Sequence, residues 1–439
     1  MRIFRYMAYF ILTLTFLLPG VAAPGKIYID IDSPNFQKFP IAITDFQIVD
    51  QGGRYESFSA WFSDSLSRYL GMTGFFDVIH KRAFLVDPKS EGQTTGNIKF
   101  SDWGAIGAEY LVKGNLLFNG ENLVAEMRLF DVIRGEMITA RKLSGRSDDK
   151  SEMVRTFANE ILSVLTGSEG LFDTSIAFVL NDGRESDIYL IDFDGSNMRR
   201  FTDHRSIVMS PRWSPDGRYI VFTSFWDGNP DIYIKSLFSK TADKIVGFRG
   251  VNLPGSWSRD GSKILLTSSK DGNEEIYVMD ISTRRLKRLT YDYAIDVSPA
   301  WSPDNEKIAF VSNRSGSPQL YVMDTNGDNV RRVTYEGNYN TSPSWSPKGD
   351  RIAYEGLING RFQIFTIHED GSQRLQLTAG NEEYESPSWS PDGRYLVLSA
   401  KGHGKTRISI VNANGMNMRT LYEGTQRCNN PSWSPRGSR

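Results

Sequence analysis

The chain has 439 residues, 39% hydrophobic and 23% charged, with 51 Lys+Arg against 52 Asp+Glu for a formal net charge of −1. This composition excludes a disordered or fibrous chain, and the even charge argues against a nucleic-acid binder, which carries a basic excess. A single cysteine, Cys428, excludes a disulfide scaffold.

Residues 1–23 read as a cleavable secretory signal. Arg2 and Arg5 form a positive start, residues 7–18 an apolar run, Pro19-Gly20 a break, and Val21-Ala22-Ala23 a small-residue cleavage site. The run falls short of the roughly 20 residues needed to span a bilayer. Next comes a segment, residues 24–34, in which Ile27, Ile29 and Ile31 alternate with Tyr28, Asp30 and Asp32 before Ser33-Pro34. Two readings stay open for it: the first strand of the following domain, or a mobile segment that adds as a strand to a partner's sheet.

Residues 24–166 carry no repeat and predict a small α/β domain. Strands are expected at 41–44, 75–79, 110–118, 123–130 and 137–143. Phe58, Trp61, Phe62, Leu66, Tyr69 and Leu70 share one face of a helix. A second helix, 148–166, turns Met153, Phe157, Ile161 and Leu165 inward and stops at Gly167. Residues 167–171 are the expected linker, and 172–439 the second domain.

That second domain repeats. Trp213, Trp257, Trp301, Trp345, Trp389 and Trp433 are each 44 residues apart, and each is followed by Ser and a turn of the Pro-Asp-Gly kind. Two apolar series keep the same step. One is Ile176, Ile220, Ile264, Ile308, Ile352 and Leu396; the other is Ile188, Ile232, Ile276, Leu320, Ile364 and Ile408. A weaker fourth run ends near Thr202, Thr290, Thr334 and Thr378. Four short strands per repeat make a propeller blade. The Trp series lacks a member at position 169, and the Ile176 series runs out at position 440. The strand at Trp433 therefore completes the blade begun at Ile176. The fold expected is mixed: a small N-terminal α/β domain, then an all-β six-bladed propeller closed by its C-terminal strand.

Catalytic signatures are sparse. His80, His204, His368 and His403 are isolated, with no zinc spacing, so no metal and no cofactor are expected. Gly404-Lys405-Thr406 sits at a hairpin turn, and Asp192-Phe193-Asp194-Gly195 reads as a strand turn. The residues before each Trp are small and, Arg212 apart, do not titrate. The six Trp residues are read as packing between blades. Two classes of function remain: a binding adaptor, or a propeller enzyme or carbohydrate binder that uses the central channel.

On these residues the chain resembles the TolB family of the Tol-Pal envelope system of Gram-negative bacteria. The resemblance rests on the signal peptide, Pro40-Ile41-Ala42-Ile43, the motif Gly107-Ala108-Glu109-Tyr110-Leu111-Val112-Lys113-Gly114, residues 167–177 and the six blade motifs. Arg259 in place of the turn Pro and Asn305 in place of the turn Gly depart mildly from the pattern. The resemblance implies a non-enzymatic periplasmic adaptor, monomeric on its own, touching membranes only through partners and binding no nucleic acid. Its partners would be the outer-membrane lipoprotein Pal and the inner-membrane protein TolA, and its role envelope integrity and constriction at division. The loops leading into the inner strands supply the expected Pal-binding face: Val208, Val251, Asn252, Asp296, Val297, Asn340, Thr341, Tyr384, Glu385 and Arg427. The expected TolA-binding segment is Lys26, Ile27, Tyr28, Ile29, Asp30, Ile31 and Asp32, which on this resemblance favours strand addition over an ordinary first strand.

Overall fold

The computed structural model describes residues 37–49, 55–87 and 90–437. The signal sequence and the alternating segment at 24–34 lie outside the described residues.

The N-terminal domain is one mixed sheet. It contains β1 (Phe39–Ile43), β2 (Gln47–Ile48), β3 (Phe76–Val78), β4 (Tyr110–Asn119), β5 (Asn122–Asp131) and β6 (Glu136–Arg146). Its order is β3-β1-β4-β5-β6, with β2 also on β4. β1 runs parallel to β3 and β4, whereas β4, β5 and β6 form an antiparallel meander. Alternation along each strand loads both faces. Ile41 and Ile43 join a cluster under helices α1 (Glu56–Met72) and α3 (Lys150–Thr166). Ala42 faces a second cluster built on Trp103 and Leu111. The expected helical faces are the buried ones, and α3 ends at Gly167, whose φ of +69° is the left-handed stop. β2 and the short helix α2 (Phe100–Ala105) were not expected; neither is long enough to show a period.

The second domain is a ring of six four-stranded sheets. Five blades are continuous in sequence: 208–246, 252–288, 296–332, 340–376 and 383–424, here blades 1 to 5. The sixth joins Arg427–Trp433 to Ser175–Asn181, Ser186–Asp192 and Arg199–Arg200. In it Trp433 faces Ile176 and Cys428 faces Leu180 in antiparallel register, the closure expected from the two missing series members. Cys428 is buried in this seam, and burial pushes its thiol up to about 11.

The repeated residues each have a job. In the Trp-Ser-Pro-Asp-Gly turn, Ser214 Oγ donates to Asp216 Oδ1 at 2.6 Å and accepts from the Tyr219 amide at 3.0 Å. Asn305 takes a φ of +61° in the glycine's place, so that departure is accommodated. Threonine Oγ1 atoms of Thr202, Thr290, Thr334 and Thr378 each accept a backbone N–H of the third strand at 2.9 Å. They tie down fourth strands that are only two or three residues long in those blades.

The two domains share one core. Phe172 packs its ring 5.1 Å from Tyr69 and 5.5 Å from Phe193, and Phe193 lies 5.8 Å from Trp433. Gly170 and Leu171, at the end of the expected linker, are buried in this joint. Tyr395 Oη donates to the Thr73 carbonyl at 2.8 Å, and Arg68 pairs with Asp194 at 3.1 Å. These contacts seat the N-terminal domain on the turns at one end of blade 5 and the closing blade. Among the described residues, none of this domain covers the opposite mouth of the ring.

Candidate functional site: the open mouth and the channel

The uncovered mouth is built from two sets of loops. One set leads into each inner strand, and the other joins the second and third strands of each blade. They are laced together: Asn229 Nδ2 donates to the Phe248 carbonyl at 2.9 Å, and the Phe225 amide to the Ile207 carbonyl at 2.9 Å.

Five of the ten residues expected on the partner face are buried beneath it: Val208, Asn252, Asp296, Asn340 and Tyr384. Four of the five open an inner strand and Tyr384 sits second in its own; the side chains lie under the loops. Asn252 Nδ2 donates to the Phe248 carbonyl at 2.6 Å, and Asn340 Nδ2 to the Glu336 carbonyl at 2.9 Å and to Gln319 Oε1 at 2.8 Å. Arg314 donates to Asp296 at 2.8 Å, and burial still raises the Asp296 carboxyl above its usual range. Tyr384 Oη donates to Glu382 at 3.0 Å; burial, then that carboxylate, pushes the phenol up to about 12. These side chains hold loops in shape and have no free surface for a partner. Val251, Val297, Thr341 and Glu385 are half-buried, and Arg427 is exposed.

The exposed apolar residues of the mouth lie a few positions away. Tyr293 is fully exposed, Tyr291 73%, Tyr335 70% and Trp226 55% exposed, with Ile207, Phe248, Ile295 and Tyr339 beside them in the loops of blades 1 to 4. Across blades 4, 5 and the closing blade the rim turns charged, with Arg361, Lys401, His403, Lys405 and Arg427 around Glu383. An aromatic half beside a charged half is the composition of a protein-binding surface. The available signal was aromatic residues inside otherwise polar loops; Tyr291 and Tyr335 keep the 44-residue step, whereas Trp226 and Tyr293 do not.

Behind the mouth runs the channel, a cavity of about 260 Å³. Each inner strand carries a bulge, and in five blades the first bulge residue is left-handed: Ser210, Ser298, Ser342, Ser386 and Asn430, with φ between +48° and +57°. Blade 2 breaks the pattern with Pro254-Gly255. A Cβ on Gly255 would sit 2.4 Å from the Pro299 carbonyl oxygen, so only glycine fits. Among the lining residues Arg212 alone is ionisable.

Glu355 stands one strand back, accepting from the Ser386 amide of the next blade. Burial, set against that bond and one from Ser342, lifts its carboxyl to about 7. A folded value above the unfolded 4.5 means the native state keeps a proton that the unfolded chain releases. Its contribution is therefore complete below about pH 4.5 and is lost as pH rises through about 7, a swing of about 3 kcal/mol. Glu355→Gln should flatten the fall in melting midpoint between pH 5 and pH 8, and should melt above the natural chain at pH 8. Identical pH profiles for the two proteins would show the carboxyl to be charged in the fold.

A family model described as the TolB β-propeller domain matches residues 162–437, and one described as the TolB amino-terminal domain matches residues 27–138. A Tol-Pal system protein TolB of Syntrophus aciditrophicus (strain SB) is 50% identical over 216 residues, 48% of this chain and 48% of that protein. The namesake from Desulfosudis oleivorans (strain DSM 6200 / JCM 39069 / Hxd3) is 37% identical over 227 residues, 52% of each. The chain thus spans about half the length of these relatives in the matched stretch. Among solved structures, the crystal structure of TolB from Acinetobacter baumannii superposes with a TM-score of 0.79 at 28% identity. It covers 91% of this chain and 97% of that one.

Proposed function

Because this chain belongs to the TolB family, we propose that it is a non-enzymatic adaptor of the Tol-Pal system, exported to the periplasm. It holds the outer-membrane lipoprotein Pal at the open mouth of the propeller and reaches inner-membrane TolA with residues 24–34, serving outer-membrane integrity and constriction at division. The observation that carries the reading is the aromatic half-rim around Tyr293, exposed on the mouth that the protein's own first domain leaves free. Tyrosine and tryptophan in such a rim supply large contact area at low entropic cost, the usual anchors of an interface. The small, nearly neutral channel lining agrees with binding at the rim rather than chemistry within.

The test is the affinity of the chain from Pro24 onward for purified Pal. Tyr293→Ser with Tyr335→Ser should weaken it at least tenfold, about 1.4 kcal/mol, with an unchanged melting midpoint. Affinity equal to the unaltered chain would remove this mouth as the Pal surface. Asp296 and Tyr384 make poor probes, because substituting a buried residue disturbs the loops themselves.

A further inference from the structure

Arg212 occupies a place where every other blade has a small residue: Ser256, Ala300, Ser344, Ser388 and Ser432. At that place Ser256 Oγ accepts the Trp301 amide at 2.6 Å and Ser388 Oγ the Trp433 amide at 3.1 Å, so the position faces the next blade at the channel wall. Arg212 makes one hydrogen bond, from Nη1 to the carbonyl of its own neighbour Pro211 at 3.2 Å, and no acidic group stands against it among the described residues. Its guanidinium keeps further donors and a full charge without a counter-ion, half-buried in a cavity of about 260 Å³. Such a charge is costly to leave uncompensated.

Unpaired indole donors stand in the joints between blades behind this wall. Trp213 and Trp389 hand their indole N–H to a carbonyl of the preceding blade, Ser432 at 3.1 Å and Ser344 at 3.0 Å. Trp301, whose counterpart acceptor would be the Ser256 carbonyl, lines the channel with its buried Nε1 unpartnered. Trp257 Nε1 is likewise buried without a partner, and Trp345 Nε1 turns to the Gly349 carbonyl of its own turn. Serine hydroxyls of Ser210, Ser256 and Ser298 complete a wall rich in donors and free of carboxylates.

We propose that the channel is an oxyanion site, with Arg212 as the charged anchor and serine hydroxyls as neutral donors. A guanidinium presents paired N–H groups that match two oxygens of a carboxylate or phosphate. The cavity admits one such group, either a free small anion or an acidic side chain carried by a peptide. This inference does not depend on the Tol-Pal reading.

The test is calorimetric titration of the chain from Pro24 onward with inorganic phosphate, with acetate and with a capped Gly-Asp-Gly peptide, at fixed chloride. At least one probe should bind saturably at one site per chain. Arg212→Gln should weaken that binding at least tenfold, and Arg212→Lys, which keeps the charge and loses the paired N–H groups, severalfold. Uptake of the peptide alone assigns a protein-borne carboxylate; uptake of phosphate or acetate assigns a free anion. No saturable binding of any probe, or equal binding by Arg212→Gln, overturns the proposal. Should Arg212→Gln fail to fold, Arg212→Lys decides: undiminished binding by it also overturns the assignment to the guanidinium.

Discussion

A chain ended after Gly424 should lose its cooperative melting transition. The missing strand, Arg427–Trp433, pairs with Ser175–Asn181 along its length and buries Cys428 and Trp433. Trp433 Nε1 donates to Thr174 Oγ1 at 3.0 Å, and Ser434 exchanges two hydrogen bonds with Ser175, both at 2.9 Å. Removing a buried tryptophan alone costs about 3–5 kcal/mol, before the ladder is counted. A domain's whole stability is about 5–15 kcal/mol. The loss spreads beyond the ring, because Trp433 belongs to the cluster that also holds Phe62, Phe157 and Phe172. Circular dichroism melts of the shortened and full chains decide it: a transition at the same midpoint would mean that the seam strand is dispensable.

Glu91→Ala should be among the most damaging single changes in the N-terminal domain. Lys113 on β4 is completely buried, and its ammonium sits 2.9 Å from Glu91. Burial draws the Lys113 pKa down despite that partner. Glu91 also accepts the Trp103 indole N–H at 3.0 Å and the Lys99 amide at 3.0 Å, so one carboxylate pins the segment that covers the back of the sheet. Removing it strands a charge in an apolar site, for about 3–5 kcal/mol. The double change Lys113→Met with Glu91→Gln removes both charges and keeps one carbonyl oxygen, which can accept from either the Trp103 indole or the Lys99 amide but not from both in their present places. It should unfold in urea within about 1 kcal/mol of the natural chain. A double variant as weak as Glu91→Ala would point to lost hydrogen bonds rather than a stranded charge.

The blades were legible because the ring repeats its packing problem six times. Trp, the turn serine and the strand-tying threonines recur wherever the same contact recurs, and the two truncated series exposed the seam. The same step also picks out residues that hold the loops of the mouth in shape. Residues found by the 44-residue step recur because they are structural, which is why Asn252, Asp296 and Asn340 turned out buried and hydrogen-bonded. The exposed residues of the mouth follow the step only in part: Tyr291 and Tyr335 are 44 residues apart, as are Ile295 and Tyr339, whereas Trp226 and Tyr293 have no aromatic counterpart one step away. Arg212 was visible as a break in the small-residue series, but its lack of a counter-charge is a three-dimensional fact. The joint between the domains was illegible for another reason: Leu171 and Phe172 are too few to carry a period, and their partners Tyr69 and Phe193 lie far off in sequence.

Cys428 gives the seam a chemical readout. Thiol reagents and oxidants attack the thiolate, and burial keeps this sulfur protonated and out of reach. It becomes available only when the closing strand lifts from Ser175–Asn181. With no second cysteine in the chain to compete, the rate at which the folded protein consumes a maleimide measures how often the ring comes open. When reclosing outruns the reagent, that rate gives the free energy of opening, and when it does not, the opening rate itself. A molecule whose circle is fastened at one place thus carries its own gauge at the fastening.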